Sequence, residues 1–427
     1  FPPGVWHDDG VYVLLSRALA NGECLRYTGV PGAFLAPKFP HLFPLVLAPV
    51  WIVSPSFPEN AAFFGAVNLL FLAVFGGVMM AYLRRRLGLS AGLAGVAVGL
   101  AVISPVLGRV ALIPLSEPLF LLTLVLALWA GSRMESKESA GRLALFLVAG
   151  GLALHTRSLG IAVLVGGAGA LFCRRRWKDG GWILLGSVAV ALPWALWSRW
   201  AAQALPESLK DILGPYGGWL LGEMGRDPAA YLGFLVENGG SLLARILALL
   251  LPGVTGHPLW VGLALVPVLG VGLWELGKRS LTLPLVLLST LFVLLLWPFQ
   301  AVRLLTPFQP LLVLGVVMGF HRLLTHRVRP GRGRWAVGLL AGCWVALFAS
   351  VSFVRLFSGW PGELYMYWDC TPLIYAIDEY PNLYGAAMAK LAFLCEKTLF
   401  AQKEDGVLWY RYHEPVSYTH LRAHETR

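Results

Sequence analysis

Residues 61–86 read AAFFGAVNLLFLAVFGGVMMAYLRRR, an apolar run that ends in three consecutive arginines. The hydrocarbon core of a bilayer is about 30 Å thick, so a helix needs about 20 apolar residues to cross it. Lys and Arg are enriched in the cytoplasmic loops of membrane proteins. The run therefore predicts a membrane-spanning helix, and Arg84-Arg85-Arg86 predicts that its carboxyl end faces the cytoplasm.

The composition of the whole chain agrees with this pattern. Hydrophobic residues make up 57% and charged residues 13% of the 427 residues, and the mean hydropathy is +0.68. An average soluble domain has about 25% charged residues. The formal net charge of +11 comes from basic residues that separate apolar runs. They are therefore interpreted as membrane-protein loops that face membrane lipids, and not as a nucleic-acid surface.

Similar runs recur and predict an all-α polytopic membrane protein with about ten transmembrane helices. The fourth and fifth runs are short and share the tip His155-Thr156-Arg157-Ser158. A single kinked helix is the alternative there, but a hairpin keeps the alternation of charge described below. The predicted spans are 61–83, 89–107, 115–130, 143–155, 159–173, 182–197, 259–276, 281–297, 304–320 and 335–357.

Basic clusters follow every second predicted span. The clusters are Arg84-Arg85-Arg86; Arg133, Lys137 and Arg142; Arg174-Arg175-Arg176 with Lys178; Lys278-Arg279; and Arg322, Arg327, Arg329, Arg332 and Arg334. They hold half of the 34 basic residues. The positive-inside rule places them in the cytoplasm. We therefore expect a protein of the cytoplasmic membrane with residues 1–60, 201–257 and those after 357 on the outer (periplasmic) face.

Four segments are expected along the chain. Residues 1–60 form an outer-face catalytic loop with short juxtamembrane helices, and residues 61–357 form the transmembrane domain with the outer loop 201–257, whose apolar run 241–251 is expected along the interface. Residues 358–415 form an outer segment, and residues 416–427 read as a non-native tail like a translated sequencing adapter. Because Phe1 already lies at the first polar motif, a preceding helix is also expected.

Polar and aromatic side chains collect at the predicted outer face. They are Asp8, Asp9, Tyr12, Lys38, His41, Glu117, Arg157 and Arg303. Each has a structural explanation. Either aspartate could cap the first helix, and Glu117 could favour a helix dipole. The cations could reach lipid headgroups, His41 could be structural, and Tyr12 could be an interfacial aromatic. Taken together, carboxylates and cations on one face suggest that the site handles an anionic lipid headgroup.

The order of the motifs resembles a known group of membrane enzymes. These motifs are His7-Asp8-Asp9-Gly10-Val11-Tyr12, Ala20-Asn21-Gly22, Lys38-Phe39-Pro40-His41-Leu42-Phe43-Pro44, Ser116-Glu117, Thr156-Arg157-Ser158-Leu159-Gly160 and Arg303-Leu304-Leu305-Thr306-Pro307. They resemble bacterial GT-C fold, family 39-like glycosyltransferases, whose superfamily includes protein O-mannosyltransferases and the lipid A aminoarabinose transferase. Family members often have Asp-Glu at Asp8-Asp9 and Pro at His41. Alignment puts Asp8 first, and either aspartate could be catalytic.

The resemblance implies inverting transfer of a sugar from a polyprenyl-phosphate donor to a lipid, glycan or protein acceptor. Asp8 would be the base, and Asp9 or Glu117 would orient the acceptor. Lys38, Arg303 and Arg157 would bind the donor phosphate, while Tyr12 and His41 would contact substrate. No cofactor is required; a divalent cation is compatible with this chemistry, and no ligand set argues for one. The alternatives are a transporter or flippase of a polyprenyl-linked saccharide, and an O-antigen-type ligase or polymerase built on loop 201–257.

Overall fold

The computed structural model describes residues 7–28, 33–57, 59–205, 210, 213–215, 228–251, 259–297, 302–327, 332–357, 399–403 and 406–410. This part of the chain is almost entirely helical. Its α-helices are α1 (His7–Ala20), α2 (Leu42–Val53), α3 (Ala61–Arg85), α4 (Ala91–Val102), α5 (Pro105–Leu112), α6 (Glu117–Ser136), α7 (Ala140–Thr156), α8 (Ile161–Cys173), α9 (Trp177–Gln203), α10 (Pro228–Leu250), α11 (Leu259–Arg279), α12 (Thr282–Leu296), α13 (Val302–Leu305), α14 (Gln309–Arg322) and α15 (Arg332–Phe357).

The all-α membrane architecture is confirmed. Within the described residues, six helical segments are long and apolar enough to cross a membrane, and the bent pair α4–α5 is a seventh if it counts as one span. The six are 61–85, 117–136, 177–203, 231–250, 303–325 and 335–354. Each of the ten predicted runs coincides with a helix, or with the bent pair. Helices α7, α8 and α12 are apolar but shorter than 18 residues.

Two helices form the predicted hairpin around residues 155–158. Helix α7 ends at Thr156, a 3₁₀ turn covers Ser158–Gly160, and α8 follows. A Cβ atom added at Gly150 would meet the Leu164 side chain, and one added at Gly167 would meet the Phe146 ring. Contacts that pair an earlier residue of one helix with a later residue of the other show that the helices run antiparallel. The single kinked helix is therefore wrong.

The predicted span 89–107 is not one straight helix. Helices α4 and α5 meet at a 56° bend around Ile103 and Ser104. Pro105 begins α5, and a proline ring disfavours helical geometry in the residue before it. At this bend the Ser104 hydroxyl donates a hydrogen bond to Gln309 Oε1 at 2.6 Å. Gln309 Nε2 in turn donates to the Leu249 carbonyl at 2.8 Å, which ties α10 to the start of α14.

The region predicted as the outer loop 201–257 contains the 23-residue helix α10. Its Asn238 amide donates to the carbonyls of Leu294, Leu295 and Trp297, and Tyr231 donates to the Leu296 carbonyl. These carbonyls lie at the carboxyl end of α12, where the regular helical donors run out. The Leu294 carbonyl also accepts the Trp297 N–H at 3.2 Å. The apolar run 241–251 is thus part of a helix that covers the end of α12.

A buried carboxylate joins three helix ends on the predicted cytoplasmic side. Glu135 near the end of α6 accepts hydrogen bonds from the backbone N–H groups of Leu281 and Thr282 at 2.9 and 2.8 Å. The hydroxyls of Ser280 and Thr282 also donate to it, at 2.8 and 2.6 Å. Arg174, just after α8, donates two more. Glu135 therefore serves as the amino-terminal cap of α12.

Two short strands lie in the predicted segment 358–415. Leu399–Lys403 pairs antiparallel with Gly406–Tyr410, with Leu399 opposite Tyr410 and Lys403 opposite Gly406. They are an addition to the all-α expectation. The rest of that segment and the predicted tail 416–427 lie outside the described residues.

Candidate active site

Helix α1 carries three of the predicted site residues and is fixed against α2. Trp51 Nε1 of α2 donates to the Ser16 hydroxyl at 2.9 Å, and both side chains are buried. The guanidinium of Arg17 lies 5.4 Å from the centre of the Trp51 ring, a cation–π distance. These contacts set the rotation of α1, so that Asp8 and Tyr12 face the bundle.

The segment between α1 and α2 is held by α9. Trp197 Nε1 donates to the Ala36 carbonyl at 3.0 Å, and the Ser198 hydroxyl donates to the Pro37 carbonyl at 2.7 Å. Phe39, which follows, has a positive φ of 67° and a fully buried ring. That ring packs edge-on against Tyr12 at 5.4 Å between centroids. Lys38 is therefore brought to the same side of the bundle as α1.

A lone amide in α3 positions the start of α6. Asn68 is fully buried and donates through Nδ2 to the carbonyls of Ile113 and Leu115 at 2.5 and 3.0 Å. Those carbonyls belong to the extended link between α5 and α6. This link ends at Ser116, so Asn68 indirectly places Glu117 at the first position of α6.

Two carboxylates and two guanidinium groups meet at this end of the bundle. Arg303 of α13 donates through Nη2 to the Asp8 carboxylate, and its Nε lies 2.9 Å from Glu117 Oε1. Arg157, from the tip between α7 and α8, places Nη1 2.8 Å from the same Glu117 oxygen. We call Asp8, Glu117, Arg157 and Arg303 the charge cluster. Its four formal charges sum to zero, which lowers the free-energy cost of burying them.

Burial differs sharply across the charge cluster. The Glu117 side chain is 0% and the Arg157 side chain 8% exposed, whereas Arg303 is 16% and Asp8 24% exposed. Both carboxylate oxygens of Glu117 are buried and accept no hydrogen bond among the described residues, so its contacts with the two arginines are ion pairs. The inner half of the cluster is therefore enclosed, and the Asp8 side faces outward.

A serine and a tyrosine form a buried hydrogen-bond chain next to the charge cluster. Arg157 Nη1 donates to the Ser116 hydroxyl at 2.9 Å, and the Ser116 and Tyr12 hydroxyls are hydrogen-bonded at 3.1 Å. Tyr12 is only 3% exposed, and burial raises its pKa to about 12, with Arg157 opposing and Asp8 reinforcing the rise. The phenol is therefore neutral over the physiological pH range. Its geometry is that of a support; contact with substrate stays a prediction.

The two adjacent aspartates have different surroundings. Asp9 is fully buried, and its Oδ1 accepts the Gly10 N–H at 2.9 Å within the first turn of α1. Asp8 is half-buried and reaches Arg303. A negative group in the first turn of a helix is favoured by the helix dipole. This explains the presence of Asp9 at that position without a catalytic role.

Lys38 and His41 lie on the segment that leads to α2. The Lys38 ammonium is half-buried and lies 5.4 Å from the centre of the Phe39 ring. The His41 ring is 4.8 Å from the His155 ring and 5.7 Å from the Trp194 ring. Burial lowers the pKa of His41, and the neighbouring His155 lowers it further. A substrate-binding role for His41 stays a prediction.

The sequence analysis did not select two of the residues that build this site. Ser116 was only part of a motif, although it links Arg157 to Tyr12. Asn68 is the one strongly polar residue within the apolar part of α3, a signal that often marks an interhelical hydrogen bond. Among the residues that the structure describes, no group of three or more His, Cys, Asp or Glu side chains could hold a metal ion.

The bundle, with a charge cluster built from α1, α6, the α7–α8 tip and α13, has the GT-C fold of membrane glycosyltransferases. The solved structures similar to it include ArnT from Cupriavidus metallidurans in the apo state, with a TM-score of 0.52 and 16% sequence identity over 92% of this chain and 80% of that chain. ArnT from the same organism bound to undecaprenyl phosphate gives a TM-score of 0.49 and 14% identity over 91% of this chain and 65% of that one, so this chain spans less than two thirds of it. No protein-family model and no curated protein matches the sequence.

Proposed function

We propose that the protein transfers a sugar from a polyprenyl-phosphate donor to a hydroxyl-bearing acceptor on the outer face of the cytoplasmic membrane. The observation that carries the proposal is the charge cluster, in which a half-exposed carboxylate lies beside a cation at the face opposite the basic loops. The GT-C fold and the ordered motifs support the same reaction class.

In the proposed reaction Asp8 removes the proton from the acceptor hydroxyl. The acceptor oxygen then attacks C1 of the sugar from the face opposite the lipid phosphate, and the bond between C1 and the phosphate oxygen breaks. The polyprenyl phosphate leaves as an anion, so no general acid is needed, and the proton stays on Asp8. Arg303 and Lys38 stabilise the departing phosphate, because fixed cations act most strongly where negative charge develops.

Asp8 is the better base of the two aspartates. It is the more exposed of the pair, whereas Asp9 is fully buried and accepts a backbone hydrogen bond. Tyr12 and Ser116 act as supports in this proposal, and Glu117 holds the arginines. The donor sugar, a hexose in the simplest case, and the acceptor are left to experiment.

The test supplies membranes containing the protein with a panel of labelled polyprenyl-phosphate sugars. Asp8→Asn keeps the size of the side chain but cannot accept a proton, so transfer should fall about 10²–10⁴-fold. The matched variant Asp9→Asn should lose far less. If Asp8→Asn transfers at the wild-type rate, Asp8 is not the base. If a labelled donor crosses the membrane without being consumed, the protein is a transporter and the proposal fails.

A further inference from the structure

The two edges of the Arg303 guanidinium have different partners. Nε lies 2.9 Å from Glu117 Oε1, a fully buried oxygen, whereas Nη2 donates to the Asp8 carboxylate. The Nε donor of this cation therefore faces the protein interior and is called the inner edge below. The Nη2 donor faces the exposed side of the site and is called the outer edge. A guanidinium presents its donors as a planar fork, which fits either a carboxylate or a phosphate.

The inner edge cannot readily exchange its partner. Glu117 is 0% exposed and is also held by Arg157, whose Nη1 reaches both Glu117 and Ser116. If Glu117 moved away, two largely buried guanidinium groups would lose their counter-charge. Removing one partner of a buried ion pair costs about 3–5 kcal/mol. Arg303 is therefore anchored on its Glu117 side.

The outer edge can exchange its partner. The Asp8 side chain is 24% exposed and lies in the first turn of α1. Water can solvate this carboxylate once it leaves the guanidinium, so its release costs less than release of Glu117. While Asp8 is held by Arg303, the bound oxygen is occupied by a charge-assisted hydrogen bond and is a poorer proton acceptor.

We propose that the donor phosphate and Asp8 compete for the outer edge of Arg303, so that donor binding releases Asp8 as the catalytic base. This inference rests on the proposed function. A phosphate that replaces Asp8 keeps Arg303 paired, and the released carboxylate is exposed enough for water to solvate it. The freed carboxylate then turns toward the acceptor hydroxyl. The base is thus engaged only when a donor is present, and the donor binds before the acceptor is activated.

The experiment measures binding of a labelled polyprenyl phosphate without sugar to the purified protein in detergent micelles. If Asp8 competes for Arg303, both Asp8→Asn and Asp8→Ala should bind the lipid at least about fivefold more tightly, the lower end of typical coupling between sites. Asp8→Ala is included because the amide of Asp8→Asn can still accept a hydrogen bond from Arg303, whereas the alanine side chain cannot. Glu117→Gln should bind more weakly, since it loosens the anchored edge of Arg303.

Asp9→Asn is the matched control, because it removes the same charge one residue along the helix. If it tightens binding as much as Asp8→Asn does, the effect is general electrostatics and the competition is refuted. Equal affinity of wild type, Asp8→Asn and Asp8→Ala refutes the competition while the proposed transfer reaction stands. If the folded wild-type protein does not bind polyprenyl phosphate, the proposed function and the inference fail together. Circular dichroism melting curves confirm that each variant is folded.

Discussion

Two buried carboxylates lie near the opposite ends of α6 and permit a matched comparison. Glu117 at the amino-terminal end faces Arg157 and Arg303, and Glu135 near the carboxyl-terminal end caps α12. Their side chains are 0% and 3% exposed. Replacing each by glutamine removes one charge and keeps one acceptor oxygen. We expect Glu135→Gln to lose at least as much stability as Glu117→Gln, and far less activity.

The size of the stability loss follows from the contacts. Glu117 Oε1 is 2.8 and 2.9 Å from two guanidinium nitrogens. These two contacts are buried ion pairs and do not have hydrogen-bond geometry. Removing one partner of a buried ion pair costs about 3–5 kcal/mol, so Glu117→Gln should lower the free energy of unfolding by about this amount. Glu135 accepts six hydrogen bonds, so Glu135→Gln should lower the free energy of unfolding at least as much. The melting temperature of each variant should drop by several degrees or more.

Activity should separate the two variants. Glu117→Gln leaves Arg303 poorly oriented next to Asp8, and a misplacement of about 1 Å at a reacting centre can reduce the rate by about 10²-fold. Glu135→Gln changes no group near the charge cluster, so its transfer rate should be within a few-fold of wild type. Both rates are measured with a labelled polyprenyl-phosphate sugar, at a temperature well below both melting points. Equal loss of transfer in the two folded variants, or full activity of Glu117→Gln, would refute the role given to Glu117.

Three further predictions test the topology, a titrating group and the packing. Cys24 and Cys173 both carry exposed thiols, so each can be kept as the single cysteine of a variant. A membrane-impermeant maleimide should label Cys24 in intact cells and Cys173 only after permeabilisation. The reverse labelling pattern would invert the topology. The pKa of His41 in the folded protein lies below its usual 6.5, so the unfolded chain binds the proton more strongly. The contribution of His41 to the free energy of unfolding should therefore be full above pH 6.5 and decrease as the pH falls. Melting curves from pH 7.5 to 5 should show this decrease, and His41→Phe should reduce it. A Cβ at Gly272 would lie 1.7 Å from a backbone oxygen of α14, whereas one at Gly270 would meet nothing within 4 Å. Gly272→Ala should therefore lower the melting temperature in detergent markedly, and Gly270→Ala should not. Equal melting temperatures of the two variants would contradict the close packing of α11 and α14.

Local patterns made much of the fold predictable. Apolar runs of bilayer length and the basic clusters between them are properties of contiguous sequence, and each predicted run coincides with helix. The bend at Ser104 was missed because its signal, Pro105, lies inside an otherwise uniform run. Helix α10 was only partly recognised, since Glu237-Asn238-Gly239-Gly240 interrupts its apolar pattern.

The composition of the site was easier to predict than its pairings. Asp8, Glu117, Arg157 and Arg303 were all selected from motifs, and the structure brings the four together. Their mutual ion pairs could not be derived, because each depends on how distant helices rotate and pack. Both arginines were expected to face a donor phosphate, yet in the structure both face carboxylates.

The separation of Asp8 and Arg303 along the chain has a consequence for biosynthesis. The two residues are 295 positions apart, whereas Glu117 and Arg157 are close in sequence and meet in adjoining helices. At a synthesis rate of about 5–20 residues per second, Arg303 emerges roughly 15–60 s after Asp8. Arg157 emerges about halfway through that interval. From then until Arg303 follows, the nascent chain holds the Glu117–Arg157 ion pair without Arg303. Completion of the charge cluster therefore requires that most of the membrane domain has been inserted. A ribosome-bound intermediate that lacks α13 should have no transferase activity.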